Sequence, residues 1–421
     1  MKFKKLFRPL SEKPGSEESG EELSELFGSE IELNRYYSAV STVCRVLEFG
    51  FLFALILFTV SSAVFNRDAV RTDTVKNVIK NFTFRLDKDS SPSPEIIYEP
   101  DSLQSFALFG KGLAVSGNSG IRLFSASGRN TFKYDFYYSS SRLKASSGIA
   151  AVYDFGGNEY MIFNTFSRVG RGTVEDSIYG MSVADSGAYI LLTGDAEYAS
   201  SVMLFRSDLS LKTRYRKNSY VVSAEISRDG DGLLITTLDV NSSGQYLTAI
   251  ERYNAGSDTP EATVELTGIF PYGCFFTSDG FGLLASDRIL FYTPGGALKR
   301  SLSFGGLEAV LYDVSGDTAG IILKETGTGL SVNYFLLLAV ADDLRPTEPV
   351  KLDHTPVSLS VRDFAAYVLS EERLDEYTAD GKSASIDVTN RPEGSAVLAY
   401  EKGKVYYLSK SSAFVIEFGD K

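Results

Sequence analysis

Val183-Ala-Asp185-Ser-Gly187-Ala-Tyr-Ile-Leu-Leu192, Ile226-Ser-Arg-Asp229-Gly230-Asp231-Gly-Leu-Leu-Ile235 and Phe276-Thr-Ser-Asp279-Gly280-Phe-Gly-Leu-Leu-Ala285 align with one another. Each reads as the end of one strand, a tight Asp/Gly turn and an apolar strand, with Gly supplying the positive φ that such hairpins require. Weaker copies place the same turn near Gly112, Gly148, Gly320, Phe364 and Gly403, at intervals of 36 to 50 residues. A further strand and turn follow each copy, as in Ile121-Arg-Leu-Phe-Ser-Ala-Ser-Gly128 and Arg288-Ile-Leu-Phe-Tyr-Thr-Pro-Gly-Gly296. Four strands in about forty residues is the period of a β-propeller blade. Eight turns therefore predict an all-β, eight-bladed β-propeller over residues 95–421. A six- or seven-bladed ring, with one hairpin miscounted, is the alternative.

The last repeat offers only three strands, Ala396 to Tyr400, Val405 to Leu408 and Ala413 to Phe418. A ring without open sheet edges needs a fourth, so an early strand is expected to pair there, either Glu95-Ile-Ile-Tyr-Glu99 or Phe82-Thr-Phe-Arg-Leu86.

Outward from the repeats, composition narrows the chemistry. The 421 residues carry a formal charge of -12, one His, two Cys and no Trp. That acidity argues against a nucleic-acid binder. His354 alone cannot supply a site that needs two imidazoles, which removes most zinc hydrolases. Cys44 and Cys274 make at most one disulfide, and a membrane position for Cys44 leaves Cys274 a buried or free thiol.

Phe49 to Asn66 contains no charged residue, and Arg45 and Arg67 bracket the run. Extended from Val46 to Phe65 the run has twenty residues, which at about 1.5 Å each cross a hydrocarbon core of about 30 Å, so residues 46–66 are read as one transmembrane helix. Ser61-Ser62-Ala63 resembles a signal-peptidase site, but the leader before the run is far longer than an ordinary n-region. Residues 1–45 are expected to be a disordered, acidic cytoplasmic tail, with eight Glu and one Lys between 11 and 32. Residues 67–94 read as a juxtamembrane linker. Counting positive charge over the whole tail puts the N-terminus inside, whereas Arg67, Arg71, Lys76 and Lys80 favour the opposite sense.

The Ser/Thr-x-Asp-Gly-x-x-Leu turns at Ser227 to Leu233 and Thr277 to Leu283 resemble those of TolB-type and quinoprotein-like propeller repeats. The whole layout resembles a family of single-pass bacterial membrane proteins defined only as a domain of unknown function. The resemblance covers roughly residues 35 to 420 and implies a propeller outside the plasma membrane of a bacterium; it implies no ligand. Quinoprotein propellers carry Trp docking motifs, which this chain lacks, so its 24 Tyr and 29 Phe are expected to pack the blades instead.

Candidate sites are few. Asp229-Gly-Asp231-Gly has a calcium-loop look, but it is too short for one and the next repeat lacks the second acid, so it reads as a hairpin. His354, beside Asp353, lies in a connection without a partner nucleophile. Lys212, Arg214 and Arg216 alternate along an outer strand and are expected on one face, as edge protection or as a site for an anionic wall polymer. Phe132, Tyr134 and Phe136, with Tyr137 and Tyr138, offer a second candidate surface. In the tail, Leu23, Leu26 and Phe27 fall at i, i+3, i+4, a pattern that a cytoplasmic partner recognises if the segment turns helical. No cofactor, metal or catalytic set is expected. The sequence points to a non-catalytic interaction scaffold that contacts a protein or polymer of the cell envelope. The alternative is a carbohydrate-acting enzyme that uses carboxylates of the central channel.

Overall fold

The structure is a computed structural model that describes residues 43–44, 46–53, 56, 95–165, 167–326, 332–343 and 348–419. By internal contacts the chain divides into residues 1–70 and 71–421. In the first unit the described residues are helical. In the second they form thirty-two strands, numbered β1 to β32 in chain order, in eight four-stranded antiparallel sheets.

Each sheet is a blade made of four strands consecutive in the chain, except the last. The innermost strands of blades one to eight are β2 (Ser105–Phe109), β6 (Ser141–Ala145), β10 (Ile178–Val183), β14 (Tyr220–Ile226), β18 (Pro271–Thr277), β22 (Glu308–Ser315), β26 (Pro356–Arg362) and β30 (Gly394–Glu401). Blade eight continues with β31 (Lys404–Ser409) and β32 (Ser412–Glu417), and its fourth strand is β1 (Glu95–Ile97), the first of the chain. Glu95, Ile96 and Ile97 pair with Phe414, Ala413 and Ser412. Of the two strands expected to close the ring, the one at Glu95 does so; Phe82 to Leu86 lies outside the described residues.

The core explains why eight blades hold as a ring. Buried apolar side chains gather in eight clusters, and each cluster joins one blade to the next around the circle. Ile96, Tyr98, Tyr406 and Leu408 of the closing blade meet Leu113, Val115 and Phe124 of blade one. A middle strand is covered by neighbouring blades on both faces, so Tyr189–Thr193 and Lys404–Ser409 read as nearly continuous buried runs. Outer strands such as Arg168–Thr173 and Ala262–Thr267 alternate instead.

Tyrosine does at the blade junctions what tryptophan would otherwise do. Its ring packs and its hydroxyl bridges: Tyr160 meets Tyr189 at 3.1 Å, Tyr367 accepts from the Gly403 amide at 2.6 Å, and Tyr406 donates to the Lys111 carbonyl at 3.2 Å.

Innermost strands have an unpaired edge, which the sequence satisfies with side chains of the preceding blade. The Ile226 amide donates to Ser182 Oγ, Cys274 to Ser223 Oγ, Val361 to Asp313 Oδ2, Val397 to Ser358 Oγ and Ala399 to Ser360 Oγ, over 2.7–3.4 Å.

Two turns differ from the sequence reading in position. The sixth lies at Gly316-Asp317, not at Gly320. Gly320 sits inside the following strand, where a Cβ would stand 2.6 Å from Val361 Cγ2, so that glycine serves close blade approach. The first turn is likewise Gly110-Lys111, and Gly112 already pairs in the next strand. The seventh turn has no glycine: Asp363 and Phe364 both take positive φ, 47° and 67°.

Candidate functional site

The ring has two unlike faces. One carries the short turns that follow the innermost strands. The other carries the connections between blades and the loops between the second and third strands of each blade. On this second face Tyr137, Phe155, Tyr179, Tyr198, Tyr220 and Tyr246 are exposed, Tyr137 at 81% and Tyr220 at 69%. All six come from blades one to four and the connections between them, so they form an arc over half of the face. The turn face holds one exposed aromatic, Phe364, among the described residues.

Serine, glycine and asparagine surround the arc: Tyr137-Tyr-Ser-Ser-Ser141, Phe155-Gly-Gly-Asn158, Asn218-Ser-Tyr220 and Asn241-Ser-Ser-Gly-Gln245. The loops are stiffened from below. Phe155 lies edge-on to Tyr179 at 6.2 Å and has Arg142 over its ring at 5.8 Å. Tyr246 packs edge-on to Phe270 at 5.3 Å. Such rings offer large contact area at small entropic cost.

The basic strand Leu211–Lys217 does not present Lys212, Arg214 and Arg216 together. A register shift opposite Leu204/Phe205 lets Lys212 turn toward blade four, where its Nζ donates to the Ala255 carbonyl at 2.7 Å. Arg214 lies between Asp176 at 3.2 Å and Asp195 at 2.9 Å, and Arg216 reaches Asp195 at 3.4 Å and covers the Tyr198 ring at 5.5 Å. The Glu197 amide, with Arg214 and Arg216, holds the Asp195 carboxyl below its usual range. Two of the three cations thus tie down the loop that carries Tyr198. Leu23, Leu26 and Phe27 lie outside the described residues.

Phe132, Tyr134 and Phe136 pack with Tyr138 and Phe163 between blades one and two, which leaves Tyr137 as the exposed member of that aromatic run. Asp229 closes its own hairpin, its Oδ1 accepting from Ser227 Oγ at 2.5 Å and from the Asp231 amide at 3.0 Å. No group of three or more His, Cys, Asp and Glu is placed to hold a metal ion among the described residues. His354 is half-buried in the connection before β26.

At the centre of the ring a cavity of about 690 Å³ is walled by β2, β6, β14, β18, β22, β26 and β30, with Leu284 behind β18. Glu225 and Asp313 face it. Burial pushes both carboxyls up, against Lys144 and Ser182 for the first and the Val361 amide, Ser360 and Lys144 for the second. Glu225 Oε2 accepts from Ser182 Oγ at 2.5 Å. Cys274, a free cysteine, is buried in the wall itself, and burial raises its thiol to about 11.

Nothing local in the sequence marks the arc or the cavity, because their residues are single side chains from different repeats. The signal that exists is positional: Tyr179, Tyr220 and Tyr246 each stand at or beside the first residue of a strand that follows a loop.

The fold is that of an eight-bladed β-propeller. The model of a family of unknown function (DUF5711) matches residues 95–327, and the chain belongs to that family. No curated protein matches it in sequence. Among solved structures, BamB from Moraxella catarrhalis is similar over 77% of this chain and 98% of its own, with a TM-score of 0.51 at 9% identity. Apo AztD from Citrobacter koseri gives 0.48 at 12% identity over 74% and 87%. The β-propeller domain of Cps50 (Swd1) from Myceliophteria thermophila gives 0.41 at 9% over 77% and 100%. At such identities the likeness is one of fold.

Proposed function

We propose that the protein is a membrane-anchored, non-catalytic scaffold whose loop face binds a protein partner at the cell envelope. The arc of six exposed aromatic rings on blades one to four carries this reading. Tyrosine set among Ser, Gly and Asn, with arginine stacked at its margin, is the composition of surfaces that recognise proteins. The opposite face, with short charged turns, lacks that composition.

Anchoring rests on the uncharged run from Phe49 to Asn66 between Arg45 and Arg67. Val46, Leu47, Phe49, Phe51, Leu52 and Phe53 are helical and exposed, as a helix surrounded by lipid requires. Among the described residues no helix is long and apolar enough to cross a membrane; most of residues 54–66 lie outside them. The tail and its Leu23, Leu26 and Phe27 remain available to a cytoplasmic partner in this reading. Glycan cleavage draws less support, because Glu225 already spends one oxygen on Ser182 and Asp313 one on Ser360 and the Val361 amide.

Proximity labelling from the full-length protein at native expression tests the proposal. The expected result is a reproducible envelope protein that disappears with Tyr137→Ser/Tyr220→Ser and persists with Phe364→Ser. Identical labelling by all three forms rejects the loop face as the binding surface.

A further inference from the structure

The central cavity is separate from the aromatic arc, and its volume lies in the range that holds small molecules. Its wall carries both signs of charge without pairing them. Lys144 comes from β6, Glu225 from β14 and Asp313 from β22. Lys144 attracts both carboxylates through space, yet makes no ion pair or hydrogen bond among the described residues. Glu225 uses one oxygen on Ser182, and its Oε1 has no donor. Tyr312 lines the same space with half of its surface exposed. Arg228 and Arg362 stand in the wall at the turn end of β14 and β26, and Arg362 Nε has its ion-pair partner in Asp363, 3.8 Å away.

Charges held apart in one cavity select by sign. A simple anion gains from Lys144 and is repelled by Glu225 and Asp313; a simple cation meets the reverse. A neutral molecule leaves all three without a charged partner. A molecule with an ammonium and a carboxylate a few bonds apart satisfies both sets, each through charge-assisted hydrogen bonds. The edges of the innermost strands do not compete for it, because side chains of the preceding blades already cap several of their amides.

We propose that the cavity binds a small zwitterion of the α-amino-acid class, with its ammonium on Glu225 and Asp313, its carboxylate on Lys144 and its side chain against Tyr312. This site is independent of the loop face.

The test is isothermal titration of the full-length protein in detergent with each of the twenty L-amino acids, followed by two analogues of the best binder, its decarboxylated amine and its deaminated acid. Binding of at least one amino acid is expected, with both analogues weaker by about tenfold or more. Lys144→Met and Glu225→Gln should each weaken it by about tenfold, with each variant still melting in one cooperative tyrosine-fluorescence transition. No binding by any of the twenty overturns the proposal. So does an analogue that binds as well as its parent, a comparison on the unmodified protein that stands even where a variant fails to fold. Unchanged affinity in both folded variants also overturns it.

Discussion

Ile96 tests how the ring is closed. Its side chain is 2% exposed between blade eight and blade one, while Ile97, the next residue of the same three-residue strand, is 74% exposed. Ile96→Ala removes buried methyl and methylene groups from a cluster fixed by Leu113, Val115 and Tyr406, at a cost of about 2–5 kcal/mol. Ile97→Ala changes only surface and should stay within about 0.5 kcal/mol. Tyr98 adds a second handle. Its hydroxyl lies 2.7 Å from the Ser409 carbonyl and 2.9 Å from that of Ser412 and has one proton for the two, so Tyr98→Phe should cost about 1–2 kcal/mol. Because Ile96 and Tyr98 share one cluster, the double variant should fall short of or exceed the sum of the singles. Urea unfolding followed by tyrosine fluorescence reads all four, in a chain without tryptophan to obscure it. Equal midpoints for Ile96→Ala and Ile97→Ala would refute closure by this strand.

Gly320→Ala should destabilise by about 1–3 kcal/mol, because its Cβ would meet Val361 Cγ2, and Val361→Ala in the same chain should recover part of the loss in the same unfolding assay. Burial raises the Glu225 carboxyl, so the folded chain holds that proton more tightly than the unfolded one. Stability is then lost as pH rises from the ordinary carboxylate value, about 4.3, through the raised folded value. Glu225→Gln should therefore gain stability relative to the parent across that window and level off above it; a flat difference over pH would contradict the burial argument. In wall-stripped cells an external protease should degrade the propeller and spare the tail. The opposite protection would assign topology to Arg67, Arg71, Lys76 and Lys80.

The strong Asp/Gly repeats at 183–192, 226–235 and 276–285 made the blade and its period legible, and the missing fourth strand at the C-terminus pointed to the strand at Glu95. The weak repeats misled by a few residues where glycine had another purpose. Gly320 and Gly112 are small because a neighbour approaches them, and the turns themselves use Gly316-Asp317 and Gly110-Lys111. Alternation placed Lys212 with Arg214 and Arg216, but one register shift, which depends on pairing with the neighbouring strand, separates them. Lys144, Glu225 and Asp313 are far apart in the chain and line one cavity only because an eight-membered ring brings strands from three blades to one axis.

The central claim, a protein-binding loop face, is tested most directly by site-specific photo-crosslinking in intact cells. The photoreactive residue is placed at Tyr137, Tyr179 or Tyr220 on the loop face and at Leu298 or Phe364 among the turns, all five exposed. The account predicts the same discrete adduct from the three loop-face positions and none from the two turn positions. Adducts from Leu298 and Phe364 alone, or equally from both faces, would contradict it.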